Sequence, residues 1–255
     1  MQEKFIPGIY NYCDRWCERC NFTTRCRNFE STGKVTSEQT DINNKAFWDN
    51  LSSSFQNAIQ LLYKAAEEHG IDLDNAMTTE EEEEYTARRS FLNSEAKNHS
   101  IAKLSKQYSK LIMPFVKEND GKMVNKVREL VSHLHLGIKS EEDIVHTMAD
   151  LGDCIEIIQW YLFFIDAKLQ RGLRGKMDGE EWAVDNGFPK DSDGSAKVAI
   201  IAIERSINAW AKFYELEPSS EDMALKALAL LTQLKQKTIE EFPQAMQFKR
   251  PGFDD

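Results

Sequence analysis

Phe47, Leu51, Phe55, Ile59, Leu62 and Ala66 follow one another at intervals of three and four residues. That spacing lines one stripe of a helix, and Gly70 stands where such a run stops. Thr79 precedes five consecutive glutamates, and Thr79 with Glu82 has the spacing of a capping box. The acids suit a helix N-terminus, where unpaired N–H groups favour negative charge. The helix they open is expected to continue through Ile101, Leu104, Tyr108, Leu111 and Phe115, with Pro114 bending or closing its end. A shorter helix is predicted from about Lys122 to Leu136, stopping at Gly137.

Ser140-Glu141-Glu142-Asp143 then opens the longest apolar pattern, which runs to about Arg171. Its second half (Ile155, Ile157, Ile158, Trp160, Leu162, Phe164, Ile165) is apolar nearly all round, as in the central helix of a bundle. Gly172, Gly175, Gly179, Gly187, Pro189 and Gly194 predict a loop over 172–195, followed by helices at about 196–216 and 220–241. No β alternation and no internal repeat interrupt this series. The expectation is an all-α protein: a bundle of five or six mostly long helices over 37–255, with an irregular cysteine-rich segment over 1–36 docked on it.

Composition narrows the function classes. The chain has 255 residues, 41% hydrophobic and 29% charged, enough for a sizeable core. A net charge of -10 opposes broad nucleic-acid binding, since a polyanion is repelled. The basic run Lys168, Arg171, Arg174 and Lys176 sits at the end of the long helical pattern and reads first as a dipole complement, second as an anion site. Met1 to Pro7 lacks the pattern of a secretory signal, and Ile155–Ile165 is too short and too polar to span a bilayer. These readings predict a cytoplasmic protein whose thiols stay reduced.

Against that background the stretch YCDRWCERCNFTTRC stands out, because Cys13, Cys17, Cys20 and Cys26 are four of the five cysteines. Thiolates are soft ligands for zinc, iron–sulfur clusters or copper(I), and four of them complete a tetrahedral zinc site or a four-iron cluster. The spacing C-x3-C-x2-C-x5-C lacks the two separated C-x2-C pairs of a zinc ribbon. It favours a [4Fe–4S] cluster over zinc. Cys13, Cys17 and Cys20 also resemble the C-x3-C-x2-C motif of radical SAM enzymes, which implies a cluster with one open iron and a barrel of alternating strands and helices. The resemblance covers eight residues, and the helical pattern lacks that alternation. Tyr12, Trp16, Phe22 and Phe29 are expected to dock the segment and to shield the metal.

A second constellation is a carboxylate–histidine stripe. Asp143, His146, Asp150 and Asp153 share one helix face with Ile157, Trp160 and Phe164. If Trp160 and Phe164 face the core, His146, Asp150 and Asp153 point inward, where Glu95, His99 and Glu204 could join them in a metal or substrate pocket. Cys154 reads as a plain buried thiol, and Asp191-Ser192-Asp193-Gly194 as an incomplete calcium loop. Three functions compete: an iron–sulfur protein with a redox or sensing role, a helical interaction scaffold with structural zinc, and a bundle enzyme using the carboxylate–histidine pocket. The partner is a protein or a small molecule that the sequence does not specify.

Overall fold

Every long element the hydrophobic periodicity predicts is a helix in the structure, a computed structural model that describes residues 4–32, 38, 42–73, 77–117, 119–180 and 189–254. Among the described residues there is no strand. The α-helices are α1 (Arg27–Thr32), α2 (Lys45–His69), α3 (Thr79–Asn98), α4 (Ser100–Lys117), α5 (Asn119–His135), α6 (Glu141–Asp178), α7 (Asp191–Leu216) and α8 (Glu221–Glu241). The expected boundary near residue 36 falls outside the described residues. By its contacts the chain forms two compact units, one of residues 1–11 and 15–91, the other of residues 12–14 and 92–255.

In the first unit, three short 3-10 turns (Ile9–Asn11, Cys17–Arg19, Thr23–Arg25) lead into α1. A backbone bond from Ile6 N–H to Arg25 O (3.0 Å) and an ion pair between Lys4 and Glu30 close this stretch on itself. Helix α2 begins at Asn44, whose side chain accepts the Ala46 N–H, and ends where Gly70 takes the left-handed conformation (φ 66°). The capping box of α3 sits one residue earlier than expected. Thr78 Oγ1 accepts from Glu81 N–H, and Glu81 Oε2 accepts from Thr78 N–H.

The second unit has its core where α6 packs along α7, with α8 on α7 and α4 against both α6 and α8. Trp210 on α7 is fully buried and donates its indole N–H to Tyr108 on α4 (3.0 Å). Phe115 and Phe213 pack on the same indole, with ring centroids 5.2 and 5.7 Å away. The single long helix expected across 79–116 is two helices. At the break, His99 Nδ1 accepts the Ile101 N–H, as an N-cap does, and Nε2 lies 3.5 Å from Glu241.

The predicted loop over 172–195 is the main correction. Helix α6 continues to Asp178, and α7 already begins at Asp191; Gly187 is outside the described residues. Gly172 and Gly175 are helical positions where another part of the chain approaches closely. A Cβ on Gly172 would lie 3.2 Å from Ser192 O, and one on Gly175 would lie 3.0 Å from Glu180 Oε1. The calcium-like DSDG is the first turn of α7, with Glu180 accepting from the Ser192 N–H (2.9 Å) and hydroxyl.

After α8 the chain returns to α7. Lys197 is mostly buried, donates to Phe248 O (2.6 Å) and pairs with Asp254 (2.7 Å), which also binds Arg250. Hydrogen bonds from Arg250, then Lys197, hold the Asp254 carboxyl well below the usual carboxylate range despite partial burial. A depressed folded-state pKa stabilises the fold above the unfolded value, about 3.9, and that contribution disappears as pH falls further. Asp254→Asn should therefore lower the melting temperature at neutral pH. The gap to wild type should shrink progressively below about pH 4 in denaturation curves.

Gly194 supplies a sharper test. A Cβ there would overlap the Tyr12 ring and sit 2.7 Å from Phe248 Cζ, whereas one on Gly152 of α6 would meet nothing within 4 Å. Gly194→Ala should cost about 1–3 kcal/mol in chemical denaturation through overpacking. Gly152→Ala should be neutral or stabilise by up to about 1 kcal/mol through helix propensity.

Candidate functional site

The four clustered cysteines lie on or beside consecutive tight turns. Cys17 opens one 3-10 turn and Cys20 closes it, its N–H donating to Cys17 O (3.2 Å). Cys26 closes the next turn through a bond to Thr23 O (3.3 Å), and its carbonyl then accepts from Glu30 N–H to start α1. Cys20 Sγ accepts the Phe22 N–H at 3.4 Å, a weak donor–sulfur contact of the kind that steadies a thiolate ligand. All four are reduced thiols of intermediate exposure. Arg19 stacks over the buried Trp16 ring at 4.0 Å, which places one cation beside this stretch.

Cys13 sits between two residues held by the helical unit. The Tyr12 hydroxyl donates to Asp191 Oδ1 (3.0 Å), and its ring packs on Phe248 at a centroid distance of 4.6 Å. Asp191 in turn receives both nitrogens of a fork from Arg171, at 2.9 and 2.6 Å. Burial first, and the Asp191 carboxylate second, raise the Tyr12 phenol pKa well above its ordinary value, which keeps it a donor. Asp14 Oδ2 accepts from the Tyr161 hydroxyl (2.7 Å) and from Arg205, and its carbonyl accepts from the Trp160 indole N–H (3.1 Å). Burial and the Asp14 hydrogen bond push the Tyr161 phenol up to about 12. The residue after Asp14, Arg15, turns the chain with φ 59°, a left-handed conformation that a residue with a Cβ seldom adopts.

By these contacts Tyr12, Cys13 and Asp14 belong to the second unit. Sequence reasoning passes over Asp14, Tyr161 and Arg205, and reads Arg171 and Asp191 as parts of a basic run and an incomplete calcium loop. Their partners lie 146 or more positions away from residues 12–14, beyond any local periodicity.

Metal-ligand geometry is a separate matter. Among the described residues, no three His, Cys, Asp or Glu side chains converge closely enough to hold an ion. What the segment offers a thiophilic metal is its donor set: four soft ligands with no more than five residues between neighbours.

The carboxylate–histidine pocket is not assembled. Asp143 is engaged by Ser140 in the capping box of α6, and exposed His146 lies 3.8 Å from Glu142. Asp150 pairs with Lys212 (2.7 Å) and Glu204 with Lys235 (2.9 Å), while Asp153 and Glu95 are exposed and His99 faces Glu241. The reason is the orientation of α6. Its core face carries Leu151, Cys154, Ile158, Tyr161, Leu162 and Ile165, whereas Trp160 is 37% exposed and Phe164 is only half-buried. An all-round apolar helix does not reveal which stripe is inward, and the aromatic pair indicates the wrong one.

The basic run at the end of α6 is likewise occupied by structural contacts. Arg171 holds Asp191, Arg174 donates to Asn93 (2.8 Å), Lys176 binds Glu241 (2.6 Å), and Lys168 is buried against Phe164.

No protein-family model, no curated protein and no solved structure matches this chain. No described helix is long and apolar enough to cross a membrane.

The two classes of cysteine differ in reactivity by environment. Cys154 is buried on α6, and burial pushes its thiol up to about 11, so almost none of it is thiolate near neutrality. Iodoacetamide at slightly alkaline pH, with a chelator present, should alkylate Cys13, Cys17, Cys20 and Cys26 in the native protein and spare Cys154 until denaturant is added. Peptide mass spectrometry resolves the five sites.

Proposed function

We propose that this is a metal-binding protein whose Cys13, Cys17, Cys20 and Cys26 hold an iron–sulfur cluster, in a redox or sensing role. The observation that carries the reading is the set of four thiols within one short stretch, each partly exposed and each on or next to a tight turn. Exposed sulfurs can be reached by metal, and short turns let successive residues wrap a cluster. Arg15, Arg19, Arg25 and Arg27 would offset the negative charge of four thiolates with the metal. In this reading the long helices form a bundle that carries the segment and meets a protein partner or small molecule. The setting is cytoplasmic, where reducing conditions keep the thiols available, and the net charge of -10 disfavours broad nucleic-acid binding.

Structural zinc is the second reading, and one observation favours it. Among residues 4–31 only Ile9 and Trp16 are buried, a thin core for a segment of that length. Such segments commonly need a metal to fix their conformation.

Anaerobic purification followed by metal and sulfide analysis separates the two. A cluster predicts a brown protein with about four iron and four sulfide per chain, and a broad visible band lost on exposure to air. Zinc predicts a colourless protein with about one zinc per chain, whose removal loosens mainly the cysteine segment. Replacing Cys17 and Cys20 together by serine should abolish stoichiometric metal in either case. Metal-free protein from a metal-replete preparation, or undiminished metal in the double variant, would overturn the proposal.

A further inference from the structure

Helix α2 presents an apolar seam to solvent. Trp48, Leu51, Phe55 and Leu62 are 53%, 37%, 62% and 56% exposed, and Ala58 and Ala65 are exposed with them. These six residues occupy alternating a and d positions of a heptad: Trp48, Phe55 and Leu62 at a, Leu51, Ala58 and Ala65 at d. The outer b, c and f positions hold Asp49, Asn50, Ser53, Gln56, Asn57, Gln60, Lys64 and Glu67, with Tyr63 the one aromatic among them. The Trp48 indole N–H is already satisfied by Ile42 O (2.9 Å), so its ring can be buried without orphaning a donor. The strip is wider than isolated surface apolar residues explain, since Ile59 and Leu61 flank it, also exposed.

The order of sizes along this seam identifies its occupant. An antiparallel partner pairs each a residue with a d residue of the other helix. Setting a second copy of α2 about a two-fold axis at the Gln56–Asn57 midpoint places Trp48 opposite Ala65, Leu51 opposite Leu62, and Phe55 opposite Ala58. The same pairs recur in reverse on the other side of the axis, as an isologous interface requires. Every layer then joins a large residue to a small one or leucine to leucine, close to uniform filling. A parallel pair would instead stack Trp48 on Trp48 and Phe55 on Phe55 in one half of the seam, and Ala58 on Ala58 and Ala65 on Ala65 in the other, which overfills one half and leaves voids in the other. We propose that α2 is an antiparallel self-association helix whose partner is the same helix of a second copy of this chain.

The seam from residue 48 to 65 spans only about 25 Å, which points to a reversible dimer at the small end of specific interfaces. Sedimentation equilibrium of the full chain should therefore show a monomer–dimer equilibrium in the micromolar range, approaching twice the 29.4 kDa chain mass. Phe55→Ala leaves two cavities at the centre of the seam and Ala58→Phe overfills it, so each should weaken the dimer by about tenfold or more. The combined variant Phe55→Ala/Ala58→Phe exchanges large and small within the same layers and should recover most of the affinity. Circular dichroism should show unchanged total helix content in each variant. A wild type that remains monomeric throughout, single variants that dimerise as wild type does, or a folded double variant no tighter than the singles would each overturn the proposal.

Discussion

The closeness of α6 and α7 is the constraint on which the second unit rests. Two helices approach this tightly only where their facing side chains are small, and the start of α7 is built that way, from Ser192, Gly194, Ser195, Ala196 and Ala199. Gly172 on α6 lies against that turn, within reach of Ser192 O. The space left above Gly194 is filled by two aromatic rings, Tyr12 and Phe248, one from each end of the chain. The helix pair thus creates the seat for both. Asp191, at the first position of α7, then serves Tyr12 and Arg171 together. A side chain at Gly172 would press on the first turn of α7, and one at Gly194 would displace Tyr12 and Phe248 beside Cys13.

Most helices were legible in the sequence because their signals are local. Gly70 ends α2 and Ser140 caps α6 as their residue types dictate, and no tertiary contact is needed to infer either. The misreading of 172–195 has a different origin. Six glycines and prolines in that span read as breakers, yet at Gly172, Gly175 and Gly194 another backbone or side chain passes within van der Waals distance. Local propensity cannot distinguish a glycine that releases the chain from one that admits a neighbour. The break at His99 was hidden for a related reason: the apolar stripe continues across it, so periodicity sees one helix where the caps make two.

The candidate site divides along the same line. Four cysteines in a short stretch are visible in any reading of the sequence. The network around Tyr12 and Asp14 is not, since Tyr161, Arg171, Asp191 and Arg205 are ordinary residues until the fold gathers them. The carboxylate–histidine stripe failed because its periodicity was real but its orientation was assumed. Lys212 and Lys235, which pair with two of its acids, carry no signal that would have shown those carboxylates to be surface groups.

Residues 12–14 belong by their contacts with the helical unit, although the chain on both sides of them belongs to the other unit. Topologically, residues 15–91 are then an excursion that leaves one folded body and re-enters it, not an appended tail. Loop-closure entropy rises only logarithmically with the length of such an excursion, by about 0.6 kcal/mol per doubling. The entropic cost of closing it on the helical body thus depends only weakly on its length.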